Sequence, residues 1–228
     1  MKHNPIIVAL DVESAAEARE LVAKLGKSVD FYKVGMELYA ASGMEMVRDL
    51  QEQGKNVFLD LKFYDIPETV KRAVAQVAKT GVQFLTVHGS ASIMRAAVAG
   101  RGSSNLKLLA VTVLTSFGPE DMDDLGYRGE IADLVERRAC KAVECGIDGL
   151  VASPLEAAAL RKVVGANITL VTPGVRSTGA AKGDQKRVAT PAEAIRDGAD
   201  YLVIGRQITR AANPAAEAER VLHEIASA

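Results

Sequence analysis

Residues 56–89 read NVFLDLKFYDIPETVKRAVAQVAKTGVQFLTVHG, and the apolar period changes twice along them. The opening NVFLDLK (56–62) is short, and its Val57, Phe58, Leu59 and Leu61 give it the apolar character of a strand. TVKRAVAQVAKTG then repeats its apolar residues at i, i+3, i+4 and i+7, which gathers them on one helical face. QFLTVHG (83–89) returns to the strand pattern. Two strands joined by a crossover helix run parallel, so this one stretch predicts a β–α–β unit.

The same unit recurs from end to end. The other strand candidates are IIVALD (6–11), DFYKVG (30–35), LKLLAVTVL (106–114), DGLVAS (148–153), ITLVTPG (168–174) and DYLVIGR (200–206). Amphipathic segments such as AAEARELVAKLG and IADLVERRACKAVECG lie between them. Eight regular repeats in a chain of 228 residues predict an α/β protein, a closed (β/α)₈ TIM barrel, in preference to an open doubly wound sheet. Helical segments that end KLG, EQG, KTG, ECG and RDG carry the glycine of a left-handed C-cap before the next strand. With no linker or low-complexity tract, residues 1–228 are expected to form one domain.

Composition narrows the function classes. Lys plus Arg number 28 against 29 Asp plus Glu, a net charge of −1, so nothing draws the chain as a whole toward nucleic acid or an anionic membrane. An anion site, if present, has to be local. No apolar run approaches the ~20 residues of a membrane span, and MKHNPIIVALD lacks the flanks of a signal peptide, which points to a cytoplasmic protein. Cys140 and Cys145 fall in a helical pattern and are expected to be buried or half-buried thiols. No HxH, HExxH, Rossmann or Walker motif occurs; His88 ends a strand candidate, where a structural role is expected.

In a barrel of this kind chemistry gathers where strands run into their following loops. Asp11 ends the first strand candidate, Lys33 lies late in the second, Asp60 and Lys62 end the third, and Thr115 follows the fifth. By strand alternation Ile7, Ala9 and Asp11 share a face, as do Phe31, Lys33 and Gly35, while Asp60 and Lys62 project together. Singly each charge has an ordinary reading: an Asp60–Lys62 ion pair, a surface Lys33, an Asp65 near the cap of a helix starting at Pro67. Together they do not, because buried charges are expensive unless they are paired or functional. Lys33, Asp60, Lys62 and Asp65 alternate in sign and can keep one another ionised. TPGVRSTG and IGRQ follow the last two strand candidates, where barrels often bind phosphate, and bring Arg176, Gly205 and Arg206 to that edge.

DLKFYDIPETV resembles the DxKxxDI signature of the orotidine 5′-monophosphate decarboxylase family. The resemblance extends to IVALD, FYKVG, VTVLTS, TPGVR with a downstream GDQKR, and IGRQIT followed by NP, in that order. It implies decarboxylation of orotidine 5′-monophosphate to uridine 5′-monophosphate in de novo pyrimidine synthesis, with no cofactor and no metal. It also implies that Lys62 protonates a C6 carbanion within a catalytic array of Lys33, Asp60, Lys62 and Asp65. In this family the residue at the position of Asp65, with Ile66 and Thr69, comes from the second subunit of a homodimer with shared active sites. Asp11 and Lys33 match ribose-holding positions, Thr115 a pyrimidine contact, and Arg176, Gln185, Gly205 and Arg206 phosphate contacts; Asp60 also faces the substrate. The polar, glycine-containing segment 177–187 is expected to act as a lid that carries Gln185.

Two other functions are compatible with such a barrel. Related sugar-phosphate decarboxylases and aldolases use Mg²⁺, and a carboxylate stands where Lys33 is found here. A Schiff-base aldolase through Lys62 is disfavoured, since flanking aspartates favour the charged ammonium over the nucleophilic amine. A non-catalytic barrel that binds a nucleotide phosphate would gain little from carboxylates facing an anion.

Overall fold

The computed structural model describes residues 4–178 and 188–227. Eight strands form the barrel: β1 (Ile6–Ala9), β2 (Phe31–Gly35), β3 (Asn56–Phe63), β4 (Phe84–His88), β5 (Lys107–Val111), β6 (Gly149–Val151), β7 (Thr169–Pro173) and β8 (Tyr201–Ile204). Each pairs in parallel with the next, and β8 pairs with β1 through Ile6–Leu202, Ile7–Val203 and Val8–Ile204, which closes the sheet. The expected (β/α)₈ barrel is therefore what the chain forms. β1 and β5 stop short of their apolar runs, although Leu10 and Val113 beyond the strand ends remain buried.

Alternation along the strands separates two cores. Ile6, Val8, Tyr32, Val34, Val57 and Leu59 face outward and pack under the helices, while Ile7, Ala9, Phe31, Phe58, Phe84, Leu109, Val171 and Val203 fill the interior. Four aromatic rings plug the lower end of that interior. Phe31 and Phe84 lie 5.0 Å apart, Phe84 and Tyr201 5.3 Å, Phe31 and Tyr201 5.6 Å, and Phe58 and Phe84 5.9 Å. Tilted and edge-on rings at these separations each add about 0.5–1.5 kcal/mol beyond area burial. The barrel is thereby filled at the base and leaves room only at the mouth.

The helices follow the periodic segments. Ser14 caps Ala15–Leu25 by accepting from the Glu17 N–H at 3.2 Å, and Pro67 opens Pro67–Val77 at a position where a missing N–H is harmless. The five glycines expected as left-handed caps, Gly26, Gly54, Gly81, Gly146 and Gly198, all have positive φ. Cys145 is buried and Cys140 half-buried, both unpaired. Charges at the strand starts serve the scaffold. Asp148 accepts from the Leu108 N–H and Arg101, and Asp200 from the Leu170 N–H and Arg161, each tying one strand to its neighbour. Among the described residues no helix is long and apolar enough to cross a membrane.

Candidate active site

At the carboxyl ends of the strands a cavity of about 750 Å³ opens, lined among others by Asp11, Lys33, Asp60, Lys62, Thr115, Arg176, Gly205 and Arg206. Eight of the residues singled out from sequence thus meet in one place. Strand register explains how two of them converge. Lys33 stands one inward step above Phe31 in β2, Asp60 one inward step above Phe58 in β3, and Asp60 is paired in register with Gly35.

The charges form a row. The ammonium of Lys33, only 9% exposed, donates to Asp11 Oδ1 at 2.8 Å and lies 3.7 Å from Asp60 Oδ2. Lys62 Nζ donates to the other oxygen of Asp60, Oδ1, at 2.9 Å. Burial pushes the Asp60 carboxyl up, but the charges of Lys33 and Lys62, with hydrogen bonds from Lys62 and Thr86, outweigh it and hold the group below its ordinary value. Asp60 therefore stays ionised at neutral pH, with a cation on each side.

Gly35 makes this row possible, a role the sequence reading did not assign. A Cβ built there would stand 2.9 Å from Lys33 Nζ and 3.2 Å from Asp11 Oδ1. The Gly35 backbone itself is extended, at φ −94°, so alanine suits the chain and only the ion pair has to move. Gly35→Ala is expected to fold normally but to lose about 10- to 100-fold in kcat/KM, since displacements of about 1 Å at a site have effects of that size. Steady-state kinetics beside a thermal melt checks this; unchanged kcat/KM would show that the row tolerates the shift.

Lys62 has φ +48°, the only positive value at a non-glycine among the described residues. Such a conformation costs about 1–3 kcal/mol and persists only where surroundings enforce it. Here the cause is a bulge. β3 pairs with β4 through Leu59–Leu85 and next through Phe63–Val87, so β3 advances by more residues than β4 between those two points. Bulges of this kind turn side chains toward a site.

Asp65, Ile66 and Thr69 differ from the others. They lie on the exposed loop and first helical turn after β3, Ile66 is 70% exposed, and none lines the cavity. Asp65 accepts from the Ile66 N–H at 2.6 Å and forms no ion pair with either lysine among the described residues. The alternating array of four charges is thus, within a single chain, an array of Lys33, Asp60 and Lys62 with Asp11. The separation is geometric: the chain leaves the barrel after Phe63 and carries Asp65 outward. Tyr64, itself 65% exposed, stacks on His88 with ring centroids 4.2 Å apart. His88 Nδ1 is buried without a hydrogen-bond partner, and burial, then the charge of Arg138, lowers the pKa of the ring. A structural part for His88 in holding this loop fits that contact.

On the opposite side of the mouth, Gly174 (φ +80°) turns the chain out of β7 toward Arg176, and Gly205 precedes the short helix Arg206–Thr209. Gly205 does not have positive φ, and a Cβ there would meet only Ala9 at 3.7 Å, so glycine leaves its backbone open to the cavity. Gln207, unremarked in the sequence, accepts from the Ser177 N–H at 3.0 Å and donates to Ser177 Oγ at 2.8 Å, tying β7's following loop to β8's. The expected lid lies outside the described residues from position 179 to 187, and Gln185 with it.

A closed parallel barrel with a charged row at the carboxyl ends of β1–β3 and arginines beyond β7 and β8 places the molecule among the (β/α)₈ barrel enzymes. The chain belongs to the orotidine 5′-phosphate decarboxylase / HUMPS family, whose sequence model matches residues 4–221. It is 55% identical over 223 residues to orotidine 5′-phosphate decarboxylase of Nitrobacter winogradskyi, covering 98% of this chain and 93% of that one. It is 53% identical over 223 residues to the enzyme of that name from Rhodopseudomonas palustris strain BisA53, covering 98% and 95%. Among solved structures, orotidine 5′-phosphate decarboxylase from Lactobacillus acidophilus superimposes with a TM-score of 0.87 at 36% identity, covering 98% of this chain and 99% of that one. An uncharacterized conserved protein from Geobacillus kaustophilus gives 0.85 at 37%, with 97% and 100% covered.

Proposed function

We propose that this enzyme converts orotidine 5′-monophosphate to uridine 5′-monophosphate and CO₂, a step of de novo pyrimidine synthesis, using side-chain charges in place of a cofactor. The observation that carries the reading is the row Lys33–Asp60–Lys62, ammonium, carboxylate, ammonium, at a cavity of nucleotide size.

When the bond between C6 and the carboxylate breaks, its electron pair stays on C6 in the plane of the ring, without the electron sink that pyridoxal or thiamine cofactors supply. The barrier then has to fall electrostatically. An ammonium ~4 Å from a unit negative charge is worth about 4 kcal/mol at an effective dielectric of 20. Lys62 supplies that charge and then transfers a proton from Nζ to C6. Asp60, kept ionised by both lysines, crowds the substrate carboxylate and favours its departure. Asp11 and Lys33 hold the ribose, and Thr115 contacts the pyrimidine. Arg176, Arg206 and the open backbone at Gly205 take the phosphate, with Gln185 reaching it from the lid. Binding energy at the unreacting phosphate then serves to press the ring against the charges.

Asp65, Ile66 and Thr69 enter this scheme from a second copy of the chain. Their exposure beside Tyr64 supports that assignment, since apolar side chains as large as Tyr64 and Ile66 standing together in solvent suit a covered surface.

The alternative within the same family, a Mg²⁺-dependent sugar-phosphate decarboxylase or aldolase, requires carboxylates turned toward the metal. Asp11 and Asp60 instead both face Lys33 Nζ, which would repel a cation there. The deciding assay follows the ultraviolet absorbance of orotidine 5′-monophosphate with and without a chelator. Steady conversion that the chelator leaves unchanged is expected; no conversion, or conversion abolished by chelation, would overturn the proposal.

A further inference from the structure

Thr86, in the middle of β4, is fully buried and does not itself line the cavity. Threonine there is a conspicuous choice, because its strand neighbours Leu85 and Val87 are buried aliphatics and the inward position below it is Phe84. A buried hydroxyl is unfavourable unless its hydrogen bonds are made. Both of them lead to the candidate site. Thr86 Oγ1 accepts from the backbone N–H of Lys62 at 2.9 Å and donates to Asp60 Oδ1 at 2.8 Å.

The position of this hydroxyl is set by the bulge. Between the pairs Leu59–Leu85 and Phe63–Val87, Thr86 alone on β4 opposes Asp60, Leu61 and Lys62 on β3. A main-chain ladder cannot satisfy three residues with one, and at the bulge the Lys62 N–H, on a residue with φ +48°, turns to a side chain. The Thr86 hydroxyl takes it up. The oxygen of Asp60 that receives the Thr86 hydrogen is the same one that receives Lys62 Nζ at 2.9 Å. One hydroxyl therefore grips Lys62 at the root of its side chain and Asp60 at its tip, and closes a ring through the ammonium.

We propose that Thr86 is a positioning residue for the decarboxylation site: its hydroxyl fixes the strained Lys62 backbone to the Asp60 carboxylate and so sets where the Lys62 ammonium stands in the cavity. The inference rests on the reaction proposed above. It predicts an effect on the chemical step more than on nucleotide binding, because the groups implicated in phosphate and ribose contact do not touch Thr86.

The test compares Thr86→Val, which keeps the shape and removes the hydroxyl, with Thr86→Ser, which keeps the hydroxyl. Thr86→Val should lower kcat for orotidine 5′-monophosphate by about 10- to 100-fold, the scale of a small misplacement, and leave uridine 5′-monophosphate affinity within about threefold. Thr86→Ser should recover kcat to within about threefold of the unmodified enzyme. An unchanged kcat in Thr86→Val, a Thr86→Ser no better than Thr86→Val, or a parallel loss of product affinity would each overturn the assignment. Amide hydrogen exchange at Lys62 supplies a readout independent of turnover. It should be slow in the unmodified protein and in Thr86→Ser, and accelerated in Thr86→Val. Rapid exchange in the unmodified protein overturns the contact even if Thr86→Val fails to fold. Slow exchange with no turnover of orotidine 5′-monophosphate would sink the proposed reaction instead.

Discussion

Lys62→Ala should abolish release of CO₂ from orotidine 5′-monophosphate, with kcat reduced by at least about 10⁵-fold, while uridine 5′-monophosphate still binds. Two contributions add up to that figure. Removing a unit positive charge of about 4 kcal/mol raises the barrier by about three powers of ten, at 1.36 kcal/mol per tenfold. Loss of the positioned proton donor takes away a further factor of about 10²–10⁴. Product affinity is expected to survive because the arginines beyond β7 and β8 and the Asp11–Lys33 pair lie on other strands and remain. Asp60 keeps Lys33 as a partner at 3.7 Å, so the substitution leaves no buried carboxylate without a cation. Single-turnover kinetics with a parallel titration of product checks both halves. Turnover within tenfold of the unmodified enzyme would remove Lys62 from the chemistry, and a collapse of product binding would reassign it to holding the nucleotide.

The second large effect concerns Asp65. Lys62→Ala and Asp65→Ala should each be nearly inactive alone, yet a one-to-one mixture allowed to exchange subunits should regain about one quarter of the unmodified rate. The arithmetic follows from two-fold symmetry. Random pairing makes about half of the dimers mixed, and in each mixed dimer one site draws its Lys62 and Asp65 from the unaltered halves of the two chains. The structural motive is that Asp65 forms no ion pair with Lys62 or Lys33 within one chain, although it follows Lys62 by three positions. A mixture that stays as inactive as its parents would show that Asp65 serves the site of its own chain or none at all.

That separation also marks a limit of strand reasoning. Strand alternation predicts that Asp60 and Lys62 face the interior together, and both line the cavity, but Lys62 does so from a left-handed conformation at the bulge and not from extended strand. Extending the same row to Asp65 did not hold within one chain, since the direction of the backbone after Phe63 depends on the loop and on the stacking of Tyr64 with His88. The ordinary readings of the single residues hold in part. Asp60 and Lys62 are an ion pair, and Lys33 is a buried member of the same row rather than a surface lysine.

The parts of Thr86 and Gly35 are not legible in the sequence for a different reason. Neither carries a charge or completes a motif, and each matters only through partners brought near by strand pairing: Thr86 through residues 24 and 26 positions away, Gly35 through the atoms its missing Cβ would strike. A buried hydroxyl among aliphatic strand residues was the one signal available for Thr86, and it becomes interpretable only when the bulge is seen.

What the amino-acid sequence determined by itself is the part governed by local periodicity and residue chemistry: eight parallel β–α repeats, their glycine caps, and which strand ends bear charge. What the tertiary structure alone decided is the offset of β3 against β4, the left-handed turn at Lys62, the hydroxyl that satisfies it, and the space left by Gly35 for an ammonium between two carboxylates. The division has one physical origin. Periodicity is encoded between neighbours along the chain, whereas register is a compromise among strands that meet only when the barrel closes, and the site is built on register.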